Sequence, residues 1–262
     1  MNPTPFRRSC AIQLRVLWAL MLREVITRFG RENIGVLWLV AEPMIFTLGV
    51  TGLWTLIGIH GGTHIPIVAF AITGYSSVLL WRNTVTRCTA AIPSNKSLLY
   101  HRNVKPLDLF IARIALELAG ATGSFLVLLS IFAVLEMIPA PDDLGTVVIG
   151  WLLLAWFGAA LSLFLGALSG YSELVERIWH PAAYLLFPLA GAAFMVDSLP
   201  RPFQHIVLML PMVNALEYLR EGYFGNLVRT HYDLGYVVAW NALLTLGGLL
   251  LLRGAMRRIE RA

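Results

Sequence analysis

The sequence predicts an all-α integral membrane protein with six transmembrane helices. An N-terminal amphipathic interface helix precedes them, and a re-entrant helical hairpin comes before the last span. Three observations carry this reading. Only 13% of the 262 residues are charged, where a soluble domain carries roughly 25%. Mean hydropathy is +0.72, and several apolar runs reach the about 20 residues that match a hydrocarbon core of about 30 Å. Lys and Arg gather in alternate connections between those runs. The runs are continuous instead of alternating in polarity, so helices and not barrel strands cross the bilayer.

The elements follow in order. Residues 1–33 form a cytoplasmic N-terminus in which Leu14, Trp18, Met21, Leu22, Val25 and Phe29 recur at helical spacing. Arg23, Glu24, Thr27, Arg28 and Arg31 fill the other side. That is the pattern of a helix lying in the interface, arginines among the headgroups and apolar side chains in the acyl boundary. It serves either as an anchor for the first span or as a docking surface for a cytoplasmic partner. Charge resumes at Arg23 and Glu24 with no small-residue cleavage site, so it is not expected to be a signal peptide.

Residues 34–262 form one membrane domain with six candidate spans: Ile34–Ile59, Ile65–Trp81, Leu107–Ile138, Gly145–Ser169, Trp179–Val196 and Leu234–Leu252. The third run exceeds one perpendicular crossing, so it tilts or extends into the cytoplasm. Arg82, Arg87, Lys96, Arg102 and Lys105 lie between spans two and three, and more arginines flank the first and last spans. The connections His60–His64 and Pro139–Leu144 contain no Lys or Arg. By the positive-inside rule both termini are cytoplasmic. The net charge of +5 is then a topology signal and implies no nucleic acid. Cys10 and Cys88 fall on the reducing side, where a disulfide is not expected.

Within this frame, four stretches carry functional signals. Glu42 stands about two turns into the first span, just before Pro43; a carboxylate at that depth faces a cavity or a partner. It could serve a translocation path or hold neighbouring helices together. Ser94 to Lys105 reads as a rigid joint outside the membrane. Ser94 or Asn95 caps a short helix, Leu98, Leu99 and Tyr100 form an apolar knob, and Lys96, Arg102 and Lys105 surround it. Pro106 and Asp108 open the next helix. The joint is either a surface for a partner to push on or an orienting loop. In the third span Arg113 and Glu117 are spaced to pair at i, i+4. In Asp197–Gly225, a short apolar core broken by Pro211 and an amphipathic run to Tyr223 suggest two short helices that dip in and return. Such a structure needs protein or a water-filled cavity around it, though an interfacial cap is the other reading.

Chemistry that is missing narrows the class. No Gly-Lys pair occurs, so the chain has no usual P-loop, and neither His-Glu-x-x-His nor Gly-x-Ser-x-Gly appears. His60 and His64 are separated by two glycines and a threonine, which favours a loop over a metal site.

Three stretches, "RFGRENIGVLWLVAEP", "NKSLLYHRNVKPLDLFIAR" and "LPMVNALEYLREGYF", resemble in order and spacing the permease subunits of ATP-binding-cassette exporters for capsular polysaccharide, the KpsM-like group. The likeness covers nearly the whole chain; the third stretch is shared with exporters of O-antigen and teichoic acid. The resemblance implies a homodimer of six-span subunits in a bacterial inner membrane, with two copies of a separate cytoplasmic ATPase that holds ATP and Mg. No cofactor is expected on this chain. It implies a lipid-linked polysaccharide as cargo, with periplasmic and outer-membrane proteins continuing the path. The coupling residues would be Ser97, Leu98, Leu99, Tyr100, His101, Arg102 and Lys105, with Arg23 and Arg28 on the interface helix. A channel walled mainly by spans one and five would use Trp38, Glu42, Phe46, Tyr184 and Phe187, since flat rings contact sugar faces without fixing one register. Within the transporter class the competing reading is a permease for another cargo, O-antigen, teichoic acid or a small molecule, and two other classes compete. A membrane enzyme acting on lipid-linked sugars would use His101, His205 or Glu217 as acid and base. A channel or secondary carrier would favour inverted repeats.

Overall fold

A computed structural model describes residues 5–30, 35–57, 65–95 and 104–259. Within them the chain is helical, with no strand among the described residues: α1 Pro5–Phe29, α2 Gly35–Ile57, α3 Ile67–Thr89, α4 Pro106–Val134, α5 Leu144–Ser169, α6 Leu174–Leu189, α7 Arg201–Leu208, α8 Pro211–Phe224 and α9 Leu234–Ile259. Four of these, α2, α4, α5 and α9, are long and apolar enough to cross a membrane.

α5 is the spine, packed against α3, α8 and α9. Its glycines let other backbones approach: a Cβ on Gly150 would stand 2.8 Å from the Leu219 Cα of α8, and one on Gly158 2.9 Å from the Trp81 Cα of α3. Small residues serve in this way in membranes because lipid tails are as apolar as side chains, leaving close packing to drive association. Stacked Phe125 and Trp151, with centroids 4.3 Å apart, join α4 to α5.

α3 is the inner helix. Eighteen of its 23 residues are buried, so its surface meets protein and not lipid. This is why it carries Thr73, Ser76, Ser77 and Thr84 at no exposure above 3%. It also runs eight residues past Trp81, where the sequence placed its end, and thereby holds Arg82 and Arg87 on a helix. α6 is displaced the other way. It begins at Leu174 and stops at Leu189, well short of Val196, because Pro188 and the left-handed Gly191 (φ +82°) turn the chain.

Candidate functional site

Two groups of side chains form the candidate site, one charged and one aromatic. The charged group begins with α1, which lies along α4 through Leu20, Leu109 and Ala112. Gln13, Leu20, Glu24 and Arg28 share one face of α1 by their spacing. Each of the three polar ones finds a partner. Gln13 donates to Asp108, Glu24 pairs with Arg113 at 3.1 Å, and Arg28 bridges Glu117 and Glu42, the latter at 3.1 Å. From α3, Arg87 reaches the same two carboxylates at 3.6 and 3.8 Å. So Arg28 is not among headgroups as the sequence implied; only 14% of its side chain is exposed. Leu14, Trp18, Leu22 and Ile26 remain exposed on the opposite side of α1. That leaves the apolar side free for an acyl layer, and the charged side docks on the bundle.

The expected i, i+4 pair of Arg113 and Glu117 does not form. Docking of α1 supplies better-placed partners: Arg113 takes Glu24, the Arg87 carbonyl at 2.7 Å and the Ser94 hydroxyl at 3.2 Å. Glu42 joins α2 to α1 and α3 through Arg28 and Arg87. Pro43 leaves the Leu39 carbonyl without its helical donor, and Gly120 of α4 closes on that carbonyl, since a Cβ there would stand 2.7 Å from it.

The joint predicted between spans two and three is described only at its ends. The Ser94 hydroxyl and the Asn95 amide donate back to the Ala90 and Ala91 carbonyls at 2.5 and 2.9 Å; the short helix they were expected to cap lies outside the described residues. Arg23 donates to Asn95 Oδ1 at 2.7 Å. At the far end Lys105 is exposed, and its N–H donates to Asp108 at 2.9 Å, opening α4 at Pro106 as the sequence predicted. Residues Ser97, Leu98, Leu99, Tyr100, His101 and Arg102 lie outside the described residues. α1 therefore grips both ends of this segment, through Arg23 on Asn95 and Gln13 on Asp108.

The aromatic group rises from there along α2, α3 and α6. Phe46, Tyr75 and Phe187 form a triangle with centroids 5.9–6.1 Å apart. Trp54 continues it, 5.4 Å from Tyr75 and 6.3 Å from Phe70. The Arg82 guanidinium lies over Tyr184 at 4.9 Å and Phe187 at 5.4 Å. Its Nε is buried and has no hydrogen bond among the described residues. Of the channel residues expected from sequence, the structure gathers Phe46, Tyr184 and Phe187, places Glu42 in the charged group and leaves Trp38 apart, 47% exposed on α2. Sequence reasoning missed Trp54, Tyr75 and Arg82. The available signal was spacing: Tyr75 and Arg82 are seven residues apart, and Phe46 and Trp54 eight, each pair close to one helix face.

A third group is structural. In α8, Glu217 accepts the N–H groups of Val196 and His231, both at 3.1 Å. Arg220, wholly buried, donates to the Gly191, Phe194 and Ala192 carbonyls at 2.7, 2.7 and 2.9 Å and lies 3.8 Å over the Phe70 ring. Glu217 thus holds loops and is not gathered with His205, which is exposed on α7. His101, the other acid–base candidate, lies outside the described residues, as do His60 and His64. No group of three His, Cys, Asp or Glu with metal-binding geometry occurs among the described residues.

The described residues are all helical, with four helices long and apolar enough to cross a membrane, an aromatic wall, and an N-terminal helix ionically tied to the bundle, which is the build of a membrane protein. The ABC-2 type transporter family matches residues 15–224, and the chain belongs to that family. Among its relatives, the capsule polysaccharide export inner-membrane protein CtrC of Neisseria meningitidis serogroup A is 39% identical over 260 residues, 99% of this chain and 98% of that protein. The capsule polysaccharide export inner-membrane protein BexB of Haemophilus influenzae is 38% identical over 259 residues, again 99% and 98%. The polysialic acid transport protein KpsM of Escherichia coli is 24% identical over 247 residues, 94% and 96%.

Proposed function

We propose that this chain is the membrane subunit of an ATP-driven exporter that moves lipid-linked capsular polysaccharide across a bacterial inner membrane. End-to-end similarity to inner-membrane proteins of capsule polysaccharide export carries the reading. The aromatic wall supports it, because ring faces hold pyranose faces without fixing one register. Arg82, poised over two rings, suits a cargo with acidic groups such as the polysialic acid named for the KpsM relative.

In this reading α3 and α6 are the second and fifth of six spans, α7 and α8 the re-entrant pair, and both termini are cytoplasmic. Two copies of the chain enclose the channel, and nucleotide and Mg sit on a separate ATPase. Periplasmic and outer-membrane proteins continue the path. Closure of the ATPase pushes on Ser94 to Lys105, and because α1 holds Asn95 and Asp108, the push moves α1 with both ends of that segment. Motion then reaches the aromatic wall through α2, tied to α1 by Arg28 and Glu42.

Deleting the chain is expected to abolish surface polysaccharide and leave lipid-linked polymer inside the cell. Reversing charge at Arg102 and Lys105 is expected to stop export while the protein remains folded in the membrane. Normal export by that variant would remove the coupling role.

A further inference from the structure

At the end of the bundle away from the charged group, the aromatic wall opens into a cavity of about 620 Å³. Its size falls within the roughly 300–1,000 Å³ of small-molecule sites. Trp54, Phe70, Phe194 and Met195 make its apolar side, and Asp197, Ser198, Asn226 and Arg229 its polar side. Trp54 belongs to both the wall and the cavity. Arg229 is 80% exposed and stands 4.0 Å from Asp197.

We infer that this cavity is an outward-facing saccharide subsite, where one short stretch of the exported polymer rests as it leaves. The inference rests on the exporter reading, which places this end on the outer side. A sugar ring has an apolar face, formed by its C–H groups, and a rim of hydroxyls. The cavity offers the matching pair: flat rings on one side, and a hydroxyl, an amide, a carboxylate and a guanidinium on the other. An acyl chain would leave those polar groups unanswered, which disfavours a lipid occupant. Arg229 and Asp197 together offer a charged donor and a charged acceptor to the hydroxyl rim. A subsite beyond the wall would hold the chain between power strokes and oppose its return.

The test places a cysteine at Leu227, half-exposed on the cavity lining. It uses the assembled exporter in intact cells with Cys10→Ser, Cys88 being wholly buried. A membrane-impermeant maleimide added outside should label Leu227→Cys. Short fragments of the cell's own capsular polymer, at about ten times their Kd, should slow labelling about tenfold by mass action. Trp54→Ala should abolish that protection. Absence of outside labelling, labelling unaffected by the fragments, protection that survives Trp54→Ala, or protection by lysophospholipid in place of saccharide would each overturn the subsite. Failure of the exporter reading shows separately, as unchanged surface polysaccharide in cells lacking the chain.

Discussion

At the α1 end of the bundle, Arg28 and Arg87 share the carboxylates of Glu42 and Glu117, side chain to side chain across four helices. In α8, Glu217 and Arg220 stand one turn apart, yet each is answered by backbone groups of neighbouring loops. Both solve the cost of taking a charge out of water, with opposite mechanical results. Two cations facing two carboxylates can exchange partners as helices slide, so the first arrangement tolerates motion. A guanidinium on three fixed carbonyls of one turn cannot move without breaking several bonds at once. The end proposed to receive force is thus held by exchangeable pairs, and the end that shapes the far side is pinned.

That contrast can be broken at its rigid side first. Arg220→Met leaves three buried carbonyls without their donor, an expected loss of about 3 kcal/mol or more, measured as unfolding of the purified chain in detergent; a loss under about 1 kcal/mol would show that the turn holds without it. At the exchangeable side, Glu117→Gln removes the buried negative charge that both arginines face and should cost about 2 kcal/mol. Glu42→Gln should cost less than about 1 kcal/mol, since its side chain is 43% exposed and both arginines keep Glu117. Equal losses for Glu117 and Glu42 would mean the pairs do not substitute for each other.

The smallest effect concerns Asp143, which caps α5 on the same side as the α8 brace. The Thr146 hydroxyl and the Gly145 N–H hold its carboxyl below the usual range. Its contribution is therefore complete above its unfolded value, about 3.9, and is lost as pH falls through the lower folded value. Unfolding followed from neutral to acid pH should show this slope in the wild-type chain and lack it in Asp143→Ala.

Much of the fold could be read in advance, element by element. The α5 run was placed at Gly145–Ser169 and forms at Leu144–Ser169, and α4 starts at Pro106 with Asp108 in its first turn, because caps and proline act locally. The sequence ends the second span at Trp81, with Arg82 and Arg87 in the connection that follows, whereas α3 carries both arginines on its last turns. Arg113 and Glu117 were paired with each other because the nearest partner along a helix is the one that sequence offers. In the site, Phe46 and Phe187 were named singly, whereas Tyr75, which stands between them, became visible only once α3 was placed inside.

The sequence alone determined that this chain enters a membrane, roughly where its helices run and where they start. Those properties sum over consecutive residues: transfer of apolar runs into hydrocarbon, the absent N–H of proline, capping side chains. Tertiary structure alone decided which charge meets which, which face of α1 docks, and which rings join into a wall. These depend on helices far apart in sequence arriving side by side, and the free energy of a contact exists only once both partners are there.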